Sequence, residues 1–426
     1  MPIIFALTLN FILYLLLSYK YWKKGKVSLT FSLSIFYTAV AFMGIIIIPT
    51  GIYETVITIK SENVSFIPYL LCFISVYILI KPLEGVYYSK IAFGGLKNEK
   101  LFNNIINFWI IDFILWGITK IYQLIITSSM GFYELYNAVN SDGNIINVLY
   151  GGNHFLLAFE KFNINLQNSL VPFILCYAFY KLIREGENKK SYFIIGLVLI
   201  VRCLAALSMG SRGNLFFTLW SFVIYYVLFF PYLNNVIQKK FIHLAIFAIS
   251  IIILYLGLIT IDRLANSDSE TPLSSVLRYF GEAFPNLGNS FWDNVNRHPY
   301  GSRLFPDFFG SKYSAESVHD GYKFWEYYTG VPVLNFKTIF GDLYIEFGTT
   351  IALIIITTIS CCFKLFLGCN KQISFWKLSF ILWYFELVLQ GIFGFVKSGH
   401  SNLIIFIAIL LVSLFVKLFT FKRYNI

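Results

Sequence analysis

The residues best suited to chemistry in this chain of 426 residues fall in three stretches. The first is Met209-Gly210-Ser211-Arg212-Gly213-Asn214, an arginine between two glycines. Glycine admits positive φ and close backbone approach, and a guanidinium fork with nearby amides suits a phosphate oxygen. An ordinary hairpin turn with a snorkelling arginine is the alternative. The second is Asn335-Phe336-Lys337-Thr338, followed by Gly341-Asp342-Leu343-Tyr344-Ile345-Glu346-Phe347-Gly348. Its carboxylates could bind sugar hydroxyls or orient basic groups. Equally, Asp342 could cap a helix and Glu346 favour its positive end. In the third, residues 262–339, the groups Arg263, Arg278, Arg297, Arg303, His298, His319 and Asp320 are interleaved with Trp292, Trp325, Tyr327 and Tyr328.

The elements that must carry these residues are membrane helices. Hydrophobic residues make up 58% of the chain and charged ones 13%, against roughly 45–50% and 25% in soluble domains. The apolar residues arrive in blocks at 3–19, 29–48, 66–80, 105–126, 166–183, 192–209, 214–230, 241–261, 340–363, 375–394 and 402–419. Such blocks can cross about 30 Å of hydrocarbon as helices. The expected fold class is therefore an all-α polytopic membrane protein of about eleven transmembrane helices. Residues 3–19 read as a permanent span, because no basic residue precedes them and no small-residue cleavage site follows before Lys20. Spans one to eight occupy 1–261, with an outer loop at 127–165 that contains Tyr133, Asp142, His154 and Glu160. A large outer loop at 262–339 separates the eighth span from the ninth, and spans nine to eleven occupy 340–426.

Orientation follows from the basic residues of the short connections. One side receives Lys20, Lys23, Lys24 and Lys26, then Lys81, Lys90, Lys97 and Lys100, then Lys181, Arg184, Lys189 and Lys190. The same side continues with Lys239, Lys240, Lys364, Lys371, Lys377, Lys417, Lys422 and Arg423. The opposite short connections hold only Lys60, Lys161, Arg212 and Lys397. The N-terminus is expected outside and the C-terminus in the cytoplasm. This bias accounts for the formal charge of +11, so no nucleic-acid partner is needed to explain it.

Four charges are expected at membrane depth: Asp112, Lys120, Arg202 and Glu386. Ionisable groups there are costly and often functional. The alternative is structural pairing, Asp112 with Lys120 and Arg202 with Glu386. None of the six cysteines falls in an outer loop, which excludes a disulfide framework there, and Cys361, Cys362 and Cys369 lack zinc-ligand spacing.

With its Gly-Ser-Arg-Gly turn at 210–213, Arg278-Tyr279-Phe280 at the opening of the large loop and the run at 335–348, the chain resembles the bacterial oligosaccharide repeat-unit polymerases, the Wzy-type O-antigen polymerases. The number of spans and the late large loop fit as well. Where that family leads one to expect Asp-Phe-Gly, this chain has Glu346-Phe347-Gly348, which keeps a carboxylate but lengthens its reach. The resemblance implies an inner-membrane glycosyltransferase of GT-C-like fold that uses no nucleotide sugar, no cofactor and no metal. It would transfer the growing glycan from undecaprenyl pyrophosphate to an incoming lipid-linked repeat unit, in O-antigen or capsule biosynthesis. Its partners would be undecaprenyl-pyrophosphate-linked oligosaccharides and membrane lipids, with room for a chain-length regulator. On the same basis Arg212 and Arg278 would hold the pyrophosphate, with Arg303 as a third, and Arg297 and His298 would bind substrate. His319 beside Asp320 would be the general base, with Glu346 a further catalytic carboxylate and His298 in reserve as base. An O-antigen ligase, or a flippase or transporter of lipid-linked oligosaccharide, are the alternatives. The concentration of polar residues outside the membrane favours an enzyme over a transporter.

Overall fold

The structure, a computed structural model, describes residues 1–23, 28–54, 63–84, 86, 90–92, 98–130, 134–135, 149–209, 212–243, 246, 250, 257, 272–310, 318–333, 335–368, 372–397 and 399–419. Its helices in chain order begin with α1 (Ile3–Trp22), α2 (Leu29–Ile46), α3 (Ile67–Ile80), α4 (Glu99–Ile126) and α5 (His154–Glu185). There follow α6 (Lys189–Ser208), α7 (Arg212–Phe229), α8 (Pro272–Gly281), α9 (Ala283–Asn286) and α10 (Pro306–Phe309). The last are α11 (Val318–Thr329), α12 (Ile339–Phe347), α13 (Thr349–Leu367), α14 (Leu378–Gln390) and α15 (His400–Phe419). Asparagine or serine side chains start several of them: Ser28, Asn98, Asn153 and Asn188 each accept a backbone N–H of the first turn.

Eight helices among the described residues are long and apolar enough to cross a membrane: α1, α2, α4, α5, α6, α7, α13 and α15. The chain is thus an all-α polytopic membrane protein apart from two three-residue strands, Lys90–Ala92 and Gln372–Ser374, which pair with each other. The expected third and tenth spans fall on the shorter helices α3, of 14 residues, and α14, of 13. Most of the expected eighth span lies outside the described residues.

The expected ninth span, 340–363, is two helices rather than one. Gly348 stands between α12 and α13 at φ +79° and ψ 174°, a backbone conformation that glycine adopts readily and that ends the first helix. Asp342 and Glu346 therefore sit on a short helix of their own. The fifth helix departs in the other direction. It starts at His154, capped by Asn153, and not near 166, so Glu160 belongs to a helix and not to a loop.

The chain divides into two compact units. The first comprises residues 1–90, 269–371 and 384–403. Here α1 packs along α2 and against α3, and α8 crosses α2. That crossing is close because it is built from glycines: a Cβ on Gly281 would lie 2.9 Å from the Met43 carbonyl oxygen, and one on Gly44 3.2 Å from the Gly281 oxygen. The beginning of the large loop thus packs directly on a membrane helix. Aromatics fill the centre, with Tyr14 stacked on Tyr37 at 5.5 Å and tilted against Phe284. The Tyr37 and Tyr384 hydroxyls donate to the Val388 and Leu79 carbonyls.

The second unit comprises residues 91–268, 372–383 and 404–426. Its helices α4, α5 and α6 pack on one another, with α7 against α6. A polar network runs through its interior. Lys120 pairs with Glu160 and donates to Gln123, and Trp116 Nε1–H donates to Glu160 at 2.9 Å. Further along, Gln167 donates to Asp112 at 2.6 Å and accepts from Trp109. Lys120 therefore does not pair with Asp112. Eight positions apart on one helix place them about 12 Å apart along its axis, and each finds a partner on α5 instead. Nor does Arg202 pair with Glu386: it donates to Asn168 at 2.6 Å, while Glu386 lies 3.5 Å from Lys397.

Candidate functional site

The site in the first unit begins with a helix start. Thr338 accepts the Gly341 N–H at 3.1 Å and opens α12. Four positions separate Asp342 from Glu346, which puts both carboxylates on one face of the helix. Both are buried, at 5% and 0% exposure. Buried carboxylates require partners, and the segment Pro299–Leu304 delivers one. Gly301 turns the chain at φ +98° and donates its N–H to Glu346 Oε1 at 2.8 Å. Two residues later Arg303 reaches inward. Its Nε–H donates to Glu346 Oε2 at 3.0 Å, and its Nη2–H to Asp342 Oδ1 at 2.7 Å. Its own backbone N–H also donates to Glu346 Oε1. Two carboxylates thus clamp one edge of the guanidinium plane, and Nη1 makes no hydrogen bond among the described residues.

Two further segments close around this pair. In the connection after α14, the Phe395 N–H donates to Asp342 Oδ2 at 2.8 Å. The approach depends on Gly394, at φ +130°, where a Cβ would lie 2.9 Å from the same oxygen. The Ile339 N–H donates to the Gly391 carbonyl of that connection. Ahead of α12, Lys337 is 7% exposed and its Nζ lies 3.9 Å from Asp342 Oδ1. That ammonium donates to the carbonyls of Val333 and Asn335.

Arg303, Lys337 and Asp342 form part of the wall of a cavity of about 430 Å³. Tyr322 and Trp325 of α11 complete it with Phe336, Phe393 and Phe395. Tyr279 of α8 stands behind, edge-on to Phe336 at 4.9 Å. The result is an aromatic chamber with a few convergent charged groups, the usual character of a small-molecule site.

Burial and charge act against each other on every ionisable group here. Burial raises the Asp342 carboxyl, but Arg303 and Lys337 outweigh it and hold this group below its ordinary value. For Glu346, burial prevails over Arg303 and raises it. Burial would lower Arg303, yet Asp342 and Glu346 raise it, so it remains a permanent cation. For Lys337, burial, aided by Arg303, overrides the attraction of Asp342 and lowers the amine to about 8.

Of the residues singled out from sequence, Arg303 and Glu346 come together here, and Glu346 reaches Arg303 without lining the cavity. Arg278 lies 3.6 Å from Glu282, whose other oxygen accepts the Phe336 N–H, so it adjoins the cavity wall from outside. His298 donates from Nδ1 to the Ile345 carbonyl at 2.9 Å, since a carbonyl can only accept. That leaves Nε2 as the free nitrogen of the ring, beside Gly348 and away from the cavity lining. Arg297 is exposed. His319 and Asp320 belong to α11, the helix that contributes Tyr322 and Trp325, but their side chains lie outside the described residues. The Arg212 side chain also lies outside them, at the first position of α7 in the second unit.

Lys337 lies within the Asn335–Thr338 motif, where sequence alone assigns it no role. The available signal was a lone lysine directly before a capping threonine, in a stretch otherwise aromatic and apolar. Comparison of the chain with protein-family models, with curated proteins and with solved structures finds no match, so the chemistry of the cavity is the guide to function.

Proposed function

We propose that the chain is a membrane glycosyltransferase of the GT-C kind, which polymerises lipid-linked oligosaccharide repeat units on the outer face of a bacterial inner membrane. The observation that carries this reading is the cavity in which aromatic walls surround Arg303, Lys337 and Asp342. A sugar ring presents apolar C–H faces to aromatic rings and hydroxyl edges to charged groups. A volume of about 430 Å³ lies within the range of roughly 300–1,000 Å³ typical of ligand pockets.

In the reaction, a hydroxyl of the acceptor repeat unit attacks the anomeric carbon of the donor glycan. A new C–O bond forms as the bond to undecaprenyl pyrophosphate breaks, and the leaving oxygen takes both electrons. A base receives the hydroxyl proton. Negative charge grows on the pyrophosphate, and a cation already fixed in place stabilises it without reorganisation. Arg303 suits that task, because Asp342 and Glu346 fix its plane while Nη1 stays open. Glu346 then acts as a positioning residue for the arginine. Arg212 and Arg278 remain further candidates for the pyrophosphate.

The reading is tested by deleting the gene and resolving the surface glycan on a gel. A single repeat unit where the parent strain shows a ladder is expected, with the ladder restored by the wild-type gene. Complete absence of glycan would replace polymerisation with a flippase or ligase step.

A further inference from the structure

The amine of Lys337 is held in a way that a structural lysine does not require. Its Nζ donates to the Val333 carbonyl and, at 3.4 Å, to the Asn335 carbonyl. A neutral amine has two N–H bonds and a lone pair. Two carbonyl acceptors engage both hydrogens and leave the lone pair at the remaining tetrahedral position. In the charged form the third N–H has no hydrogen-bond acceptor among the described residues, Asp342 Oδ1 standing 3.9 Å away, beyond hydrogen-bond range. The two carbonyls therefore support the neutral form fully and the ammonium only in part. Lys337 also lines the cavity, whereas Glu346 does not.

We propose that Lys337 is the general base that removes the proton of the attacking sugar hydroxyl in this cavity. The proposal rests on the glycosyl-transfer reading above and names the base that reading leaves open. As the acceptor oxygen bonds to the anomeric carbon, its proton passes to the Lys337 lone pair, giving an ammonium. The bond to pyrophosphate breaks with its electron pair on the leaving oxygen, beside Arg303. The ammonium returns its proton to water before the next transfer. The charged groups that act on Lys337 are Asp342 on α12, Arg303 on the 299–304 segment and Glu326 on α11. Burial outweighs the two carboxylates, so a substantial neutral fraction exists slightly above neutral pH.

The test uses purified full-length protein and undecaprenyl-pyrophosphate-linked repeat units, with product length read on a gel. For the wild type, kcat should rise with pH along a limb centred near 8. Lys337→Ala should lower kcat by about 10²–10⁴-fold with a smaller change in KM. Small primary amines should restore turnover in proportion to their free-base concentration, which a merely structural lysine would not permit. Lys337→Arg keeps the cation but stays protonated, and should remain as slow as the alanine variant. A wild type that makes no polymer would defeat the glycosyl-transfer reading itself. A wild type that polymerises, beside an alanine variant within about threefold of it, would overturn the role of Lys337 alone and return the base to His319. Should the variants fail to fold, labelling of wild-type Lys337 by a small acylating reagent, followed by peptide mass spectrometry, decides. A midpoint near pH 8 supports the proposal, and a midpoint near 10.5 or no labelling overturns it.

Discussion

Each of the two units buries a hydrogen-bonded ion network, and the networks differ in what they leave unused. In the second unit Lys120 is wholly buried, paired with Glu160, bonded to Gln123 and 5.3 Å from the centre of the Trp116 ring. All three of these partners are helix side chains in the interior of the unit. In the first unit Arg303 and Lys337 are equally committed to partners on one side, but both border a cavity. Arg303 keeps Nη1 open, and Lys337 keeps one position of its nitrogen open. Burial of charge is common to both networks, so burial by itself does not mark a site. What distinguishes the first network is that its two cations line a cavity large enough for a ligand.

The comparison is most directly broken by removing one cation from each network. Lys120→Met leaves Glu160 buried without its partner and should cost about 3–5 kcal/mol of stability. The double variant Lys120→Met/Glu160→Leu should recover wild-type stability or exceed it, because an apolar pair of similar volume replaces a buried ion pair without a desolvation penalty. It should also retain full turnover. Arg303→Met should cost a similar amount and abolish turnover, and Arg303→Met/Asp342→Leu should regain part of the stability but none of the turnover. Reversible unfolding in detergent, paired with the polymer assay, measures both quantities. A well-folded Lys120→Met/Glu160→Leu protein without activity would show that the second network is functional too, and the contrast would collapse.

A smaller effect sharpens the account of how the first network is held. Gly394 sits at φ +130°, and an added Cβ would lie 2.9 Å from Asp342 Oδ2. Gly394→Ala should therefore cost about 1–3 kcal/mol through backbone strain. It should also slow turnover, because Asp342 would lose the Phe395 N–H that anchors it against Arg303. A variant with wild-type stability and turnover would mean that the 391–396 connection only covers the site.

The sequence made the membrane class plain, because block length and composition leave few other solutions. It also set Asp342 and Glu346 in one motif, and their spacing of four places them on one helical face once α12 forms. It could not name their partner. Arg303 is about forty positions away and reaches them through a turn at Gly301 whose direction no local pattern specifies. The break at Gly348 was hidden for a related reason. Apolar residues continue on both sides of it, and hydropathy carries no record of the sign of φ. Lys120 shows the same limit from the other direction. Its nearest acid in sequence on α4 was the obvious partner, while the true one, Glu160, lay where polar neighbours suggested a loop. The lysine of greatest interest, Lys337, offered in sequence only its isolation before the capping Thr338, because its departure from an ordinary amine arises from burial and from Arg303, which the fold alone brings near.

That departure gives the expected effect most specific to the first network. Lys337 titrates near 8 in the folded protein against an ordinary 10.5. Between these values the unfolded chain holds a proton that the folded chain has shed. Stability therefore rises with pH across this window, by up to about 1.4 kcal/mol per pH unit. The contribution is fully present above the unfolded value and is lost as pH falls through the folded one. The informative quantity is the difference between wild type and Lys337→Met, which removes this group and leaves the others. From pH 7.5 to 9.5 the stability of the wild type should gain about 2 kcal/mol relative to the variant, measured by chemical unfolding in a single detergent. A difference that stays flat would place Lys337 at its ordinary value, fully charged at neutral pH, and would make it a fixed cation like Lys120 and not a base.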